Sequence, residues 1–415
     1  MKIAVYEAPT NARGAQPDVS ALAAGTSWAR FGRETVLYSD DEHEPSLAAR
    51  AVTGTLQSPR QVPARRQDLH VVVQHGRTFQ QHHPDVPVLH DRGRFLLVQL
   101  DPDRARKLAT EEETCFGVMP LADGQVVFEE RDRPQPRAAV PFIQTLVNIP
   151  ASASVETSLK KLVSFPTRHS TSAGFSSAAT WARKQLNLMS YKTRLQSVDV
   201  AGAKSRNVIA DKAGTGTADR KVVIVTAHLD SINLQGGPAA PAPGADDNAS
   251  GSAGLLEIAR AFKDHQGAHD LRFILFGGEE QGLFGSKRYI ATLSQAERKR
   301  IEAVVNMDMV GSLNNASPSV LLEGAVVSQS VMDGLRDAAE TYTQLNVESS
   351  LNPFASDHVP FINAGVPAVL TIEGADSTND TVHSGADTLQ RIDFDLLVEI
   401  LRMNVGFVAQ RLGGN

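Results

Sequence analysis

Between Lys221 and Gly285 the chain alternates apolar runs with ionisable residues in an order that few folds can accommodate. Val222 to Val225 is an apolar run that ends in His228 and Asp230. A loop rich in Gly, Pro and Ala leads to Asp246-Asp247-Asn248, where a helical pattern begins. A second apolar run, Leu271 to Phe276, ends in Gly277-Gly278-Glu279-Glu280. Short apolar runs bounded by turn residues read as buried strands. Ionisable groups therefore stand just past the carboxyl ends of two strands and at the entrance of a helix. In an open α/β sheet, binding sites form at those strand ends.

The residue types point to a metal. Histidine supplies a neutral nitrogen, and Asp and Glu supply hard oxygens, a mixture suited to Zn²⁺ or a similar divalent ion. Asp230 lies two residues after His228, so on a strand both side chains point the same way. Its carboxylate could then accept the free ring N–H of His228 and fix its tautomer. Two adjacent acids at a strand end, Glu279 and Glu280, repel unless cations or a shared proton relieve them. One of them can bind metal while the other moves protons. Singly, each piece has a plainer reading: Asp246-Asp247-Asn248 as a helix N-cap, Glu279-Glu280 as a solvated pair, His383 as a surface histidine. Two further pieces complete the set. The run Ala303 to Gly311 carries an acid, Asp308, near its end, and an unpaired buried Asp calls for a cation. His383 sits in the polar, turn-rich loop Thr381 to Thr388.

In this order, HxD, DDNASG, GGEEQGLFGS, NMDMVG and HSGADT, the chain from about residue 150 to 410 resembles the co-catalytic two-zinc aminopeptidases. That family includes bacterial leucyl aminopeptidases and, as a divergent branch, glutaminyl cyclases. The stretch Phe165 to Gly174, followed by Trp181, is similar to the start of the leucyl branch. The resemblance implies two Zn²⁺ ions per chain bridged by Asp247. One would also be held by His228 and Asp308, the other by Glu280 and His383. It makes Glu279 the general base and Asp230 the partner of His228, and implies a cis peptide bond after Asp247. The implied activity is an exopeptidase acting at peptide N-termini, with peptides as the partner class. A single-zinc glutaminyl cyclase and an inactive binding or scaffold protein of the same fold are the alternatives. Both are disfavoured because both half-sites are complete and no proposed ligand or base is replaced. One departure stands out. The relatives carry a Tyr shortly before Ser-Asp-His, where this chain reads Pro353-Phe354-Ala355-Ser356-Asp357-His358; Tyr342 or His358 is left as a substitute oxyanion donor.

The rest of the chain frames this core. The 415 residues suggest two domains. Residues 1–140 read as a small N-terminal α+β domain, prodomain-like in its position, with strands at 69–74, 95–99, 115–119 and 125–129. A short helix from Pro102 to Leu108 would be capped by Asp101, and the segment before residue 69 shows little pattern. The histidines at 82–83 read as part of a solvated loop. A charged, Pro-containing linker lies near 130–150. Residues 151–415 alternate helices and strands, which predicts an α/β fold: a mixed, largely parallel sheet sandwiched by helices. The net charge of −6 offers no basic surface for nucleic acid, and no apolar run is long enough for a membrane span. Cys115 is the single cysteine, so no intrachain disulfide can form. The N-terminus shows no charged segment followed by an apolar one, so no standard signal peptide is expected. The pattern leaves the oligomeric state open.

Overall fold

The computed structural model describes residues 1–7, 22–40, 45, 55–110, 116–130, 138–217 and 219–413. Cys115 and most of the expected linker, residues 131–137, lie outside the described residues. The chain divides into two compact units, Met1–Asp132 with Glu348–Phe354, and Arg133–Val347 with Ala355–Asn415.

The first unit opens with β1 (Lys2–Glu7), β2 (Ser27–Phe31) and β3 (Glu34–Ser39), followed by the short β4 (Thr55–Leu56) and β5 (Arg60–Gln61). β3 pairs antiparallel with both β1 and β2. The sequence pattern gave no sign of these strands. Four consecutive residues of β1 are buried, so the polar/apolar alternation of a one-sided strand is missing. Next come β6 (Leu69–Gln74), α1 (Thr78–His82), β7 (Val88–Arg92), β8 (Phe95–Gln99), α2 (Pro102–Leu108), β9 (Phe116–Pro120) and β10 (Gln125–Glu130). β7, β8, β6 and β9 form a separate antiparallel sheet in that order. α2 starts as its sequence dictates: the Asp101 carboxylate accepts the amides of Asp103 and Arg104, with Pro102 in the first turn. His82, expected with His83 in a solvated loop, instead ends α1, a turn of helix that forms because Phe79 is fully buried among Val72, Leu96 and Phe116. β10 runs parallel to β2 and also pairs Glu129 with Ser349.

The second unit is the expected α/β fold. Its elements are α3 (Pro141–Val147), α4 (Ser152–Val163), α5 (Ala173–Leu188), β11 (Lys192–Val200), β12 (Ala203–Lys212), β13 (Val222–His228), α6 (Gly251–Phe262) and β14 (Asp270–Phe276). They continue with α7 (Phe284–Ala291), α8 (Gln295–Arg300), β15 (Ile301–Met307), β16 (Ser319–Glu323), α9 (Gln329–Tyr342), α10 (His358–Asn363), β18 (Ala368–Glu373) and α11 (Phe394–Leu412), while β17 (Asn346–Ser350) lies mostly in the first unit's segment Glu348–Phe354. The strand order is β11-β12-β14-β13-β15-β18-β16. β14, β13, β15 and β18 are mutually parallel, while β12 on β14 and β16 on β18 are antiparallel. All seven residues of β13 are buried, as in a strand covered on both faces. Successive side chains point to opposite faces: Val223, Val225 and Ala227 join one core with α4, α5, α6 and α11, whereas Val222 and Ile224 join another with Tyr289 of α7 and Phe361 of α10. α6 lies so close to α11 that a Cβ at Gly254 would stand 2.7 Å from Leu401 Cδ2. A side chain there would have to push the helices apart. Among the described residues no helix is long and apolar enough to cross a membrane.

Candidate metal centre

Parallel pairing brings the C-terminal ends of β13, β14, β15 and β18 to one edge of the sheet. His228 is the last residue of β13, and Glu279 and Glu280 follow β14 after Gly277 and Gly278. β15 stops at Met307, so Asp308 lies just beyond the strand rather than within it, and the chain turns at Met309 with φ 52°. His383 lies in the loop after β18. Asp247 occupies an irregular turn, Ala245–Ser250, ahead of α6, and the Asp247–Asn248 bond is cis. Non-helical dihedrals at Asp247 (φ −102°, ψ 93°) and Asn248 (φ −134°, ψ 48°) keep this stretch out of the helix. The acids therefore do not cap α6. Asn248 fixes the turn: its Nδ2 donates to Met307 O at 2.9 Å, and its Oδ1 accepts the amides of Gly251 and Met309.

The side chains converge pairwise on Asp247. His228 Nε2 is 3.0 Å from Asp308 Oδ1 and 3.2 Å from Asp247 Oδ1. His383 Nε2 is 3.0 Å from Asp247 Oδ2 and 3.0 Å from Glu280 Oε2. One carboxylate thus offers one oxygen to each of two histidine–carboxylate half-sites. Glu279 stands further back, its Oε2 4.0 Å from His228 Nε2. Among the described residues, His228, Glu279 and Asp308, and likewise His228, Asp247 and Glu280, bring their donor atoms within 4.8 Å of one another. Ligands at ~2.0–2.1 Å from a tetrahedral ion lie roughly 3.3 Å apart, so these separations and this mixture of imidazole and carboxylate fit Zn²⁺.

The electrostatics agree with the geometry. Burial and the neighbouring Asp247 carboxylate push the Glu280 carboxyl up to about 7. Glu279 is raised well above the ordinary range by burial and by Asp308, Asp357 and Glu280. Asp247 is held well below it, because His228 and His383 outweigh its burial. Burial opposes a charge on His228, but Asp308 and Glu279 outweigh it and raise that imidazole well above its usual value. Positive charge beside Asp247 is therefore favoured, as a bound cation would supply.

A buried scaffold holds these groups. The expected contact from the Asp230 carboxylate to His228 is long, 3.8 Å to Nδ1. The ring nitrogen lies closer to the backbone carbonyl of the same residue, at 3.2 Å. The carboxylate instead accepts the amides of Glu279 at 3.4 Å and Glu280 at 3.3 Å, so Asp230 anchors the turn that bears both acids. Sequence reasoning missed three supports. Ser356 Oγ donates to Asp308 Oδ2 at 2.6 Å and accepts from Asn306 Nδ2 at 2.9 Å, and Thr226 Oγ1 donates to Asn306 Oδ1 at 2.7 Å. The signal was there in Thr226 and Asn306, polar residues inside apolar strand runs that must find partners. Arg168 is fully buried and donates to the carbonyls of Leu162, Leu229, Pro243 and Gly244, tying together the segments before Asp230 and Asp246. Burial lowers its guanidinium to about 10. Of the suggested oxyanion donors, the Tyr342 hydroxyl accepts the amide of Val140, and His358 is buried with Nε2 3.4 Å from Glu323 Oε1. Phe354 packs within the first unit, edge-on to His75 and over Gly117.

Residues 207–408 match peptidase family M28, a range that takes in His228, Asp247, Glu279, Glu280, Asp308 and His383. A probable leucine aminopeptidase of Arthroderma benhamiae is 30% identical over 273 residues, covering 61% of this chain and 71% of the relative. The chain belongs to peptidase family M28. Leucine aminopeptidase 1 of Arthroderma otae is 27% identical to this M28 chain over 348 residues, 76% of the chain and 91% of the relative. Among solved structures, a zinc aminopeptidase from Bacillus subtilis shares the fold with a TM-score of 0.57 at 19% identity, over 64% of this chain and 96% of that one.

Proposed function

We propose that this M28 chain is an aminopeptidase that hydrolyses the N-terminal residue from peptides, with two zinc ions at Asp247 and Glu279 as general base. The observation that carries the reading is the division of Asp247, one oxygen toward His228 and the other toward His383, with Asp308 and Glu280 completing the two half-sites. Zinc held by His228, Asp247, Asp308, Glu280 and His383 would supply the Lewis acidity that activates water and the scissile carbonyl. Glu279 takes a proton from the attacking water and returns it to the leaving amine as the C–N bond breaks. Asp230 holds the backbone of Glu279 and Glu280, keeping the base and the ligand in fixed relation. Ser356 and the Nδ1 partner of His228 orient Asp308 and the imidazole in the same way.

Metal analysis of the purified protein, chelation, and an assay on aminoacyl-arylamides test the reading. Two zinc ions per chain and activity that falls on chelation and returns with zinc are expected. One ion would favour the cyclase chemistry and none the scaffold. Full activity after complete metal removal would sink it.

A further inference from the structure

Asp387 is 1% exposed and follows His383 by four residues in the loop after β18. Its carboxylate accepts two successive main-chain amides of the turn before α6, Oδ1 from Asp246 at 2.9 Å and Oδ2 from Asp247 at 3.0 Å. Its carbonyl accepts the preceding amide, that of Ala245, at 3.2 Å. Three consecutive N–H groups of the turn thus converge on one residue. Arg168 engages the same region from its carbonyl side, at Pro243 and Gly244. The loop that carries Asp387 also carries His383, whose Nε2 meets Asp247 Oδ2. Asp247 is therefore held twice: through its side chain by the two histidines, and through its main chain by Asp387.

We propose that Asp387 is a positioning residue for the bridging carboxylate: it fixes the peptide from which Asp247 projects and locks it to the loop that bears His383, so that both half-sites are set together. The proposal rests on the two-zinc reading. Anchoring a turn does not by itself need an anion, since a neutral side-chain oxygen accepts an amide as well. A buried carboxylate beside Asp246 and Asp247 is instead unfavourable to the turn alone. It becomes favourable when cations occupy the site. Partners one step behind metal ligands commonly set metal affinity in this way.

The test titrates the full chain with Zn²⁺ against a competing chelator, for wild type, Asp387→Asn and Asp387→Ala, and melts each with and without zinc. In Asp387→Asn one amide faces a side-chain N–H in place of an oxygen. Both zinc-binding steps should weaken by about 10–100-fold, while the zinc-free protein melts within about 2–4 °C of wild type. His383→Ala should weaken chiefly one step. Asp380→Asn, an exposed acid of the same loop paired with Arg391, should leave both steps alone. Unchanged affinities, loss confined to one step, a zinc-free melting temperature that falls as far as the zinc-loaded one, or failure of both Asp387 variants to fold would each overturn the proposal and leave Asp387 a structural anchor. Wild-type protein that binds no zinc would sink the two-zinc reading and this inference with it. Two tightly bound ions in wild type and unmoved Asp387 variants would sink this inference alone.

Discussion

On the proposed two-zinc mechanism, replacing Glu279 by Gln separates the base from the ligands. The side chain keeps its length and shape, and its amide position is still fixed by the Asp230 carboxylate. What disappears is the group that accepts a proton. General-base catalysis contributes about 10²–10⁴ in rate, or roughly 3–5 kcal/mol of barrier at about 1.4 kcal/mol per tenfold. Because Glu279 Oε2 lies 4.0 Å from His228 Nε2 while Asp308 Oδ1 lies 3.0 Å away, zinc content should stay near two per chain. The loss should fall on kcat, with KM little changed, because the missing contact acts in the transition state. The zinc-free variant should melt slightly higher than wild type, since a buried carboxyl among Asp308, Asp357 and Glu280 has been neutralised. Glu280→Gln should behave differently: it removes an oxygen 3.0 Å from His383 and should lower zinc affinity first. Steady-state kinetics on an aminoacyl-arylamide, with metal analysis of the same samples, compare the two. Equal zinc content with equal, mild rate losses in both variants would refute the division of labour.

Asp247→Asn should weaken both zinc-binding steps in a metal titration. Asp246→Asn should keep two ions but lower the unfolding free energy by about 1–3 kcal/mol, because the buried Asp246 carboxylate accepts from Gly311 N and Asn379 Nδ2; the opposite outcome would shift the register by one residue. Arg168→Lys should destabilise the fold by about 2–4 kcal/mol in denaturant unfolding, since one ammonium cannot reach four carbonyls on different segments. In zinc-stripped protein, burial holds the folded-state carboxyls of Glu280 and Asp357 at about 7, above their ordinary 4.5 and 3.8. The folded state then binds more protons than the unfolded one between about pH 4 and 7, so stability should fall as pH rises through that window. Zinc-loaded protein should show the reverse trend, because metal binding expels those protons. Melting curves at stepped pH, with and without zinc, check the sign.

Local pattern by itself determined that this chain has a central sheet and where its chemistry collects. Val222–Val225, Leu271–Phe276 and Ala303–Val305 announce buried strands, because residues covered on both faces must be apolar whatever packs on them. An acid or histidine just past such a run is conspicuous for the same reason, so His228, Glu279, Glu280 and Asp308 stand out in the sequence alone. Local pattern is blind to pairing over long separations. Nothing in the segment Glu348–Phe354 announces that it belongs with the first 132 residues, since its partner strand β10 lies more than 200 positions earlier. Adjacent identical acids are equally mute: Asp246 and Asp247 differ only in the direction each side chain takes from one irregular turn. That direction is set by Asn248 within the turn and by Arg168 and Asp387 from segments far away in the chain. The same holds for Asp230, whose carboxylate stands 3.8 Å from His228 Nδ1 and also accepts the amides of Glu279 and Glu280, a contact its spacing does not announce. Spacing along a strand tells which face a residue occupies. Which atom waits there depends on how the neighbouring strand ends turn, and only the packed tertiary structure decides that.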